Sequence, residues 1–191
     1  IVDLTILGLC AVLMVQGYHF SVMSIQRFSP ALGITLFIPT LTPTRSPATY
    51  VLLAESLFAS GKLDEAEQTY QQAIGIDPHQ AAYYVALARV QVFNGKPDDA
   101  VRSAQDALLI DPNSAQAHGV YAWALDFQGG AQNLTKAREE IDRALKIDAN
   151  SALVEAYQAE ILMDSSPDNY KQALEAAQRA VQIDPNLLEA H

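Results

Sequence analysis

The sequence predicts an all-α chain, a solenoid of helical hairpins preceded by an apolar transmembrane helix and a proline-rich linker. The first observation is recurrence. Residues 63–78 (LDEAEQTYQQAIGIDP) return as 97–112 (PDDAVRSAQDALLIDP), 134–149 (LTKAREEIDRALKIDA) and 170–185 (YKQALEAAQRAVQIDP). Their terminators fall at 78, 112, 149 and 185, the spacing of a helix, turn, helix repeat. The second is residues 4–26, which carry no charge, and the third is the cluster Pro30, Pro39, Pro43 and Pro47.

In chain order, residues 1–27 are the expected anchor. A helix over 4–26 rises about 1.5 Å per residue and so reaches across a bilayer core of about 30 Å. Lipid is therefore its expected partner, with Tyr18 and Phe20 at an interface. The alternatives are an uncleaved signal segment or a helix packed in a protein core. No small-residue cleavage site closes the apolar run. Cys10 is the sole cysteine, so no internal disulfide forms. Leu9 before it is larger than a lipid-attachment signal requires, and Cys10 reads as a plain membrane residue. His19 has no second ligand nearby in sequence and reads as a packed side chain.

Residues 28–46 are the expected linker. Each proline removes an amide donor and biases its predecessor away from the helix, so the backbone runs extended. Thr40, Thr42 and Thr44 lie in a stiff Thr/Ser/Pro spacer and are candidate O-glycosylation positions. Asn133-Leu134-Thr135 matches the N-glycosylation pattern.

Four units follow over 47–185, at 47–80, 81–114, 115–151 and 152–187, with a fifth beginning at 188–191. Small residues recur where paired helices must touch: Ala54, Ala66 and Ala73, then Ala88, Ala100 and Ala107, then Ala122, Ala137 and Ala144, then Ala159, Ala173 and Ala180. In each second helix the two alanines are two turns apart on one face, which permits close approach. Larger residues such as Tyr70, Leu87, Tyr121, Leu125 and Ile141 fill the space between. The chain starts inside an apolar run at Ile1 and stops as a unit begins, so sequence is expected beyond both ends. A solenoid stopping there would leave an apolar face for further repeats or another molecule to cover.

This pattern resembles the tetratricopeptide repeat family over 47–185. Gly61 and Gly95 stand where that family turns between helices, and Pro78, Pro112 and Pro185 close second helices. The sequence departs from the pattern at Ala149, where proline is expected, and in the turns 129–133 and 164–167, which are expected to protrude as long loops. The resemblance implies a concave groove lined by first helices. Its residues here are Val51, Glu55 and Phe58; Val85, Arg89 and Phe93; Trp123, Asp126 and Phe127; and Ala156, Glu160 and Met163. The basic and amide residues with which members clamp a chaperone's C-terminal carboxylate are missing, and Glu55 occupies one such place.

No nucleophile elbow, phosphate loop, metal-spaced Cys/His set or dinucleotide fingerprint is present, so neither catalysis nor a cofactor or metal is expected. The acid pairs Asp64-Glu65, Asp98-Asp99 and Glu139-Glu140 lie on second helices, where they serve the helix dipole or solubility. Asp3, Arg27 and Arg45 are the only charges in the first 46 residues, so the chain's net charge of −10 comes from the repeats, which hold 21 acids against 10 bases. An acidic solenoid repels phosphate backbones, and nucleic acid is not an expected partner. The expected function is a non-catalytic, membrane-anchored scaffold that assembles or stabilises a multiprotein complex. Its partners are apolar or helical peptide segments, subunits of a membrane complex or copies of itself. The spacer and the scarcity of lysine near Arg27 place the repeats on the extracytoplasmic side. The alternatives are a subunit of a cell-surface filament, with residues 4–26 in a protein core, and an accessory domain of an enzyme extending past residue 191.

Overall fold

The computed structural model describes residues 24–29, 34–39, 46–187 and 189. It comprises two units, Ile1–Ser46 and Pro47–His191. In the first, β1 (Ser24–Ser29) pairs antiparallel with β2 (Ile34–Pro39), Ser24 opposite Pro39 and Ser29 opposite Ile34. The strands are rich in Ile, Phe, Thr and Leu, which suit a pleated backbone. Pro39 lacks an N–H and stands at the strand's end, where the ladder loses least. The helix expected over 4–26 therefore excludes 24–26, which are strand. Residues 4–23, and Thr40, Thr42 and Thr44, lie outside the described residues. Among the described residues no helix is long and apolar enough to cross a membrane.

Among the described residues of the second unit, all regular structure is helical. It contains α1 (Pro47–Ala59), α2 (Leu63–Ile76), α3 (Ala81–Phe93), α4 (Pro97–Ile110), α5 (Ala115–Gln128), α6 (Ala131–Ile147), α7 (Ala152–Ser165) and α8 (Tyr170–Ile183), with a 3-10 turn at Pro167–Asn169 before α8. Each odd-numbered helix packs antiparallel on the next, and each even-numbered helix packs on the odd helix that follows. α3, α5 and α7 also touch one another, whereas even-numbered helices do not form a comparable layer of mutual contacts. First helices therefore lie on the inside of the curve. Their sequences agree: a helix covered on several sides is apolar on several sides, and α5 buries Ala117 through Leu125 without interruption. Second helices carry a single apolar stripe built around alanine.

Local chemistry ends the helices. After α2, α4, α6 and α8, the carboxylate of Asp77, Asp111, Asp148 or Asp184 accepts the amide two residues on, at 3.3, 3.0, 2.9 and 2.9 Å. Such Asx turns redirect the chain, and a following proline cannot re-enter the helix. Asp148 does this beside Ala149, which explains how the third hairpin closes without proline. At Gly61 (φ 74°) and Gly95 (φ 69°) the backbone takes the left-handed conformation. Lys62 and Lys96 amides then reach back to the carbonyls of Leu57 and Gln91, both at 2.9 Å, closing the helix end in a Schellman motif.

The two long turns do not protrude as loops. Residues 131–133 are helical and lengthen α6, because the Leu134 amide bonds to Gly130 and Asn133 Nδ2 bonds to the Gly129 carbonyl at 2.8 Å. Residues 164–165 extend α7, and the Ser166 hydroxyl accepts the Asp168 amide to start the 3-10 turn.

Eleven of the twelve recurrent alanines are buried, and Ala159 alone among them is not. It faces the last hairpin's open side. A buried polar chain ties the first two hairpins: Ser103 Oγ donates to Gln91 Oε1 (2.8 Å), Gln91 Nε2 donates to Glu67 Oε1 (3.2 Å), and Lys96 Nζ donates to Glu67 Oε2 (2.8 Å). Burial alone would raise the Glu67 pKa, but the donors Lys96, Gln91 and Asn94 outweigh it and hold the carboxyl below its usual range. Deeper in the array, His118 has both ring nitrogens on acceptors, Glu140 Oε2 at 2.6 Å and the Pro112 carbonyl at 3.0 Å. It links α5, α6 and the turn before α5, a structural role that fits its burial.

Candidate functional site

The inner face is built by one row of rings. Phe58 lies 5.2 Å from Phe93, Phe93 lies 5.2 Å from Trp123, and Trp123 lies 5.3 Å from Phe127, all tilted or edge-on. Trp123 also stacks on Tyr157 at 4.5 Å and 16°. These geometries suit the ring quadrupoles and add about 0.5–1.5 kcal/mol per pair beyond area burial. α1, α3, α5 and α7 each contribute, so the row runs across all four hairpins.

The sequence-derived groove residues divide by depth. Phe93, Phe127 and Met163 are exposed at 39%, 51% and 44%, and Glu55 is exposed. Val51, Phe58, Arg89, Asp126 and Glu160 are half-buried. Val85, Trp123 and Ala156 are buried and act as floor, supporting the exposed rings from beneath. Asn133 is half-buried in the first turn of α6, where its side-chain amide donates to the Gly129 carbonyl and to Gln128 Oε1.

A concavity of about 640 Å³ opens beside the row. It is lined by Phe127, Ala156, Ala159, Glu160, Met163, Asp164, Tyr170, Ala173, Leu174, Ala177 and Glu189. Its walls are mostly apolar, with carboxylates at one edge. Asp126, Asp164 and Glu160 converge there. Burial, the charge and hydrogen bonding of Asp164, and the charge of Glu160 push the Asp126 carboxyl up from 3.8 to about 7. Asp126 Oδ2 is buried without a hydrogen-bond partner among the described residues. Burial also raises Glu160, against the opposing hydrogen bond donated by Trp123 Nε1. Among the described residues no set of three His, Cys, Asp or Glu side chains is arranged to hold a metal ion.

Basic charge enters the groove at Arg89. Its guanidinium sits 4.6 Å from the Phe58 ring centroid. It also grips Glu189 in a bidentate pair, Nε to Oε1 and Nη2 to Oε2, the latter at 2.9 Å. Sequence reading missed Tyr157, Asp164 and Glu189. Tyr157 had no register signal, because the residue one unit on from Trp123 is Glu160, as Ala159 is from Ala122. Glu189 had none, because its partner is 100 residues away.

Comparison with known proteins supports this architecture. The family model described as tetratricopeptide repeat matches residues 57–124. A thermophilic TPR protein from Thermus thermophilus superposes with a TM-score of 0.64 at 17% identity, covering 73% of this chain and 75% of that one. The Arabidopsis OM64 TPR domain gives 0.53 at 16% identity, with 60% and 93% covered. The first TPR of Spaghetti (RPAP3), bound to an HSP90 peptide, gives 0.53 at 16% identity, with 70% and 94% covered. No curated protein matches the sequence. The helical unit thus has a tetratricopeptide-repeat fold. Such repeats generally mediate protein–protein interactions, and the fold is typically a non-enzymatic module.

Proposed function

We propose, from the tetratricopeptide-repeat character of the helical unit, that this protein is a non-catalytic scaffold. It holds a partner protein in its inner groove and stabilises a multiprotein complex at a membrane surface. The observation that carries the reading is the ring row of Phe58, Phe93, Trp123 and Phe127 beside an apolar concavity. Aromatic anchors set on a rigid, buried floor dominate binding energy at interfaces, and a groove between helices suits an apolar or helical segment.

The membrane part of the proposal rests on the uncharged stretch 4–26. Anchoring there confines the groove near its partner and raises effective concentration, so a modest affinity suffices. The Thr/Pro spacer and the absence of lysine around Arg27 support an extracytoplasmic position for the repeats. A second reading is self-association into a filament. It is favoured by Tyr170, Leu174 and Ile183 of the last hairpin, which are 58%, 43% and 43% exposed.

The test is photocrosslinking in native cells with a reactive residue at Phe93, followed by detergent extraction and mass spectrometry. The scaffold reading expects a stoichiometric membrane partner whose capture falls when Phe127→Ala is added. Capture of other copies of this chain alone would overturn it in favour of the filament.

A further inference from the structure

We propose that Asn94-Gly95 is a site of spontaneous covalent modification. The Gly95 nitrogen displaces the Asn94 side-chain amide, and the carboxylate left after hydrolysis unfastens the first hairpin from the second.

Asn94 is followed by glycine, and no other asparagine of the chain is. Glycine has no Cβ to shield its main-chain nitrogen, and nothing lies within 4 Å of where one would stand at Gly95. The fold demands glycine there, since φ is 69° and the Lys96 amide closes α3 on the Gln91 carbonyl. The residue before it is not so constrained, because the first hairpin has Ser60 in the same place before Gly61. What asparagine adds is reach to α2. Its Nδ2 donates to Asp64 Oδ1 at 2.8 Å and to Glu67 Oε2 at 3.2 Å. Lys96 Nζ donates to the same two carboxylates at 3.1 and 2.8 Å. These contacts tie α2 to the end of α3.

The reaction needs water alone. A bond forms between Gly95 N and Asn94 Cγ, the Cγ–Nδ2 bond breaks, and the Gly95 amide proton leaves with the departing nitrogen as ammonia. Water then opens the five-membered imide. Opening at Cγ gives aspartate. Opening at the main-chain carbonyl gives isoaspartate, whose backbone runs through Cγ and is one methylene longer. Nothing is oxidised or reduced.

The closed structure holds this step back. Asn94 has φ −82° and ψ 5°, and ring closure needs a rotation about ψ that brings the Gly95 nitrogen alongside Cβ. The Gly95 amide is meanwhile donated to the Val92 carbonyl at 2.9 Å, and the leaving nitrogen is held by Asp64 and Glu67. Reaction therefore proceeds from the form in which the end of α3 has opened, and the population of that form sets the rate. Asn94 is half-buried and Gly95 exposed, so water has access once it opens.

The product reverses the tie. A donor between two carboxylates becomes a third carboxylate, and like charges meet where hydrogen bonds were. Phe93 precedes Asn94 and lies 5.2 Å from both Phe58 and Trp123. Displacing the end of α3 therefore separates the first ring of the row from the rest.

The experiment incubates the full chain at mildly alkaline pH, locates deamidation by peptide mass spectrometry and detects isoaspartate by methyltransferase labelling. Asn94 should be converted ahead of Asn113 and Asn150, which serine follows. Asp64→Ala should speed the loss about fivefold, the factor by which one hydrogen bond of ordinary net strength changes the population of the open form. Circular dichroism establishes that the variant is folded, and Asp64→Ser takes its place if it is not. In hydrogen exchange, Asn94→Asp should open α1 and α2 faster than Asn94→Ser, which copies the first hairpin, with α7 and α8 unchanged. Survival of Asn94, its conversion no earlier than Asn113 and Asn150, or equal rates in the unaltered and Asp64→Ala chains would overturn the site. Identical exchange in Asn94→Asp and Asn94→Ser would overturn its consequence for the first hairpin.

Discussion

Asp126 is a residue whose acidity the fold changes strongly. Its carboxyl is held up to about 7 by burial and by Asp164 and Glu160, against an ordinary value of 3.8. A raised acid contributes full stability below the unfolded value and loses it as pH rises through the folded one. Melting temperature should therefore fall between about pH 4 and pH 7 in the unaltered chain. Asp126→Asn should flatten that decline and melt about 3 °C higher at pH 8, with no gain at pH 4. A parallel decline in both proteins would show that Asp126 is not responsible. Asp64 and Glu67 act in the opposite direction. Both are held below their ordinary range, Asp64 chiefly by hydrogen bonds from Asn94 and Lys96, so their contribution is lost only as pH falls below about 4.

At the scale of the element, two helical glycines separate propensity from packing. Gly75 in α2 has open space where a Cβ would stand, whereas at Gly119 in α5 a Cβ would lie 3.0 Å from Val154 Cγ2 of α7. Gly75→Ala should stabilise by about 0.5–1 kcal/mol through the lower entropy of the unfolded chain. Gly119→Ala gains the same amount but crowds Val154, which is fully buried and β-branched. Overpacking of about 1–3 kcal/mol should prevail. Urea unfolding of both variants provides the comparison, and a stabilised Gly119→Ala would mean that α5 and α7 can separate. Sequence periodicity located both helices, but it could not distinguish these glycines. Intrahelical spacing is the same in each, and the difference lies in the helix opposite.

Across the whole helical unit, stability should decrease outward from the centre. α5 is packed by α3, α4, α6 and α7, whereas α8 is packed chiefly by α7. In a solenoid each hairpin draws stability from its neighbours, so inner elements open least. Hydrogen exchange should protect amides of α5 most and those of α8 least, with the slowest exchange around Trp123. Uniform protection would indicate that the four hairpins unfold as one cooperative block. Much of this architecture was legible in the chain, because eleven of the twelve alanines marked by recurrence are core. The groove was less legible: Phe93 and Phe127 reach solvent while Trp123 and Val85 do not, although all four follow from the same alignment of units. Depth depends on how far one hairpin rotates over the next, and single-helix spacing carries no record of that rotation.

By itself the sequence determined what short-range chemistry determines. Aspartate side chains turn the backbone after second helices, Gly61 and Gly95 admit positive φ, and alanine at two-turn spacing lets paired helices approach. Tertiary structure alone decided what depends on stagger between hairpins. It brought Tyr157 onto Trp123, gathered Asp126, Asp164 and Glu160 at one edge, absorbed the long turns into α6 and α7, and set Glu189 on Arg89. Contacts within a hairpin repeat with the helical period, whereas contacts between hairpins change with each inserted residue and with the curvature of the array.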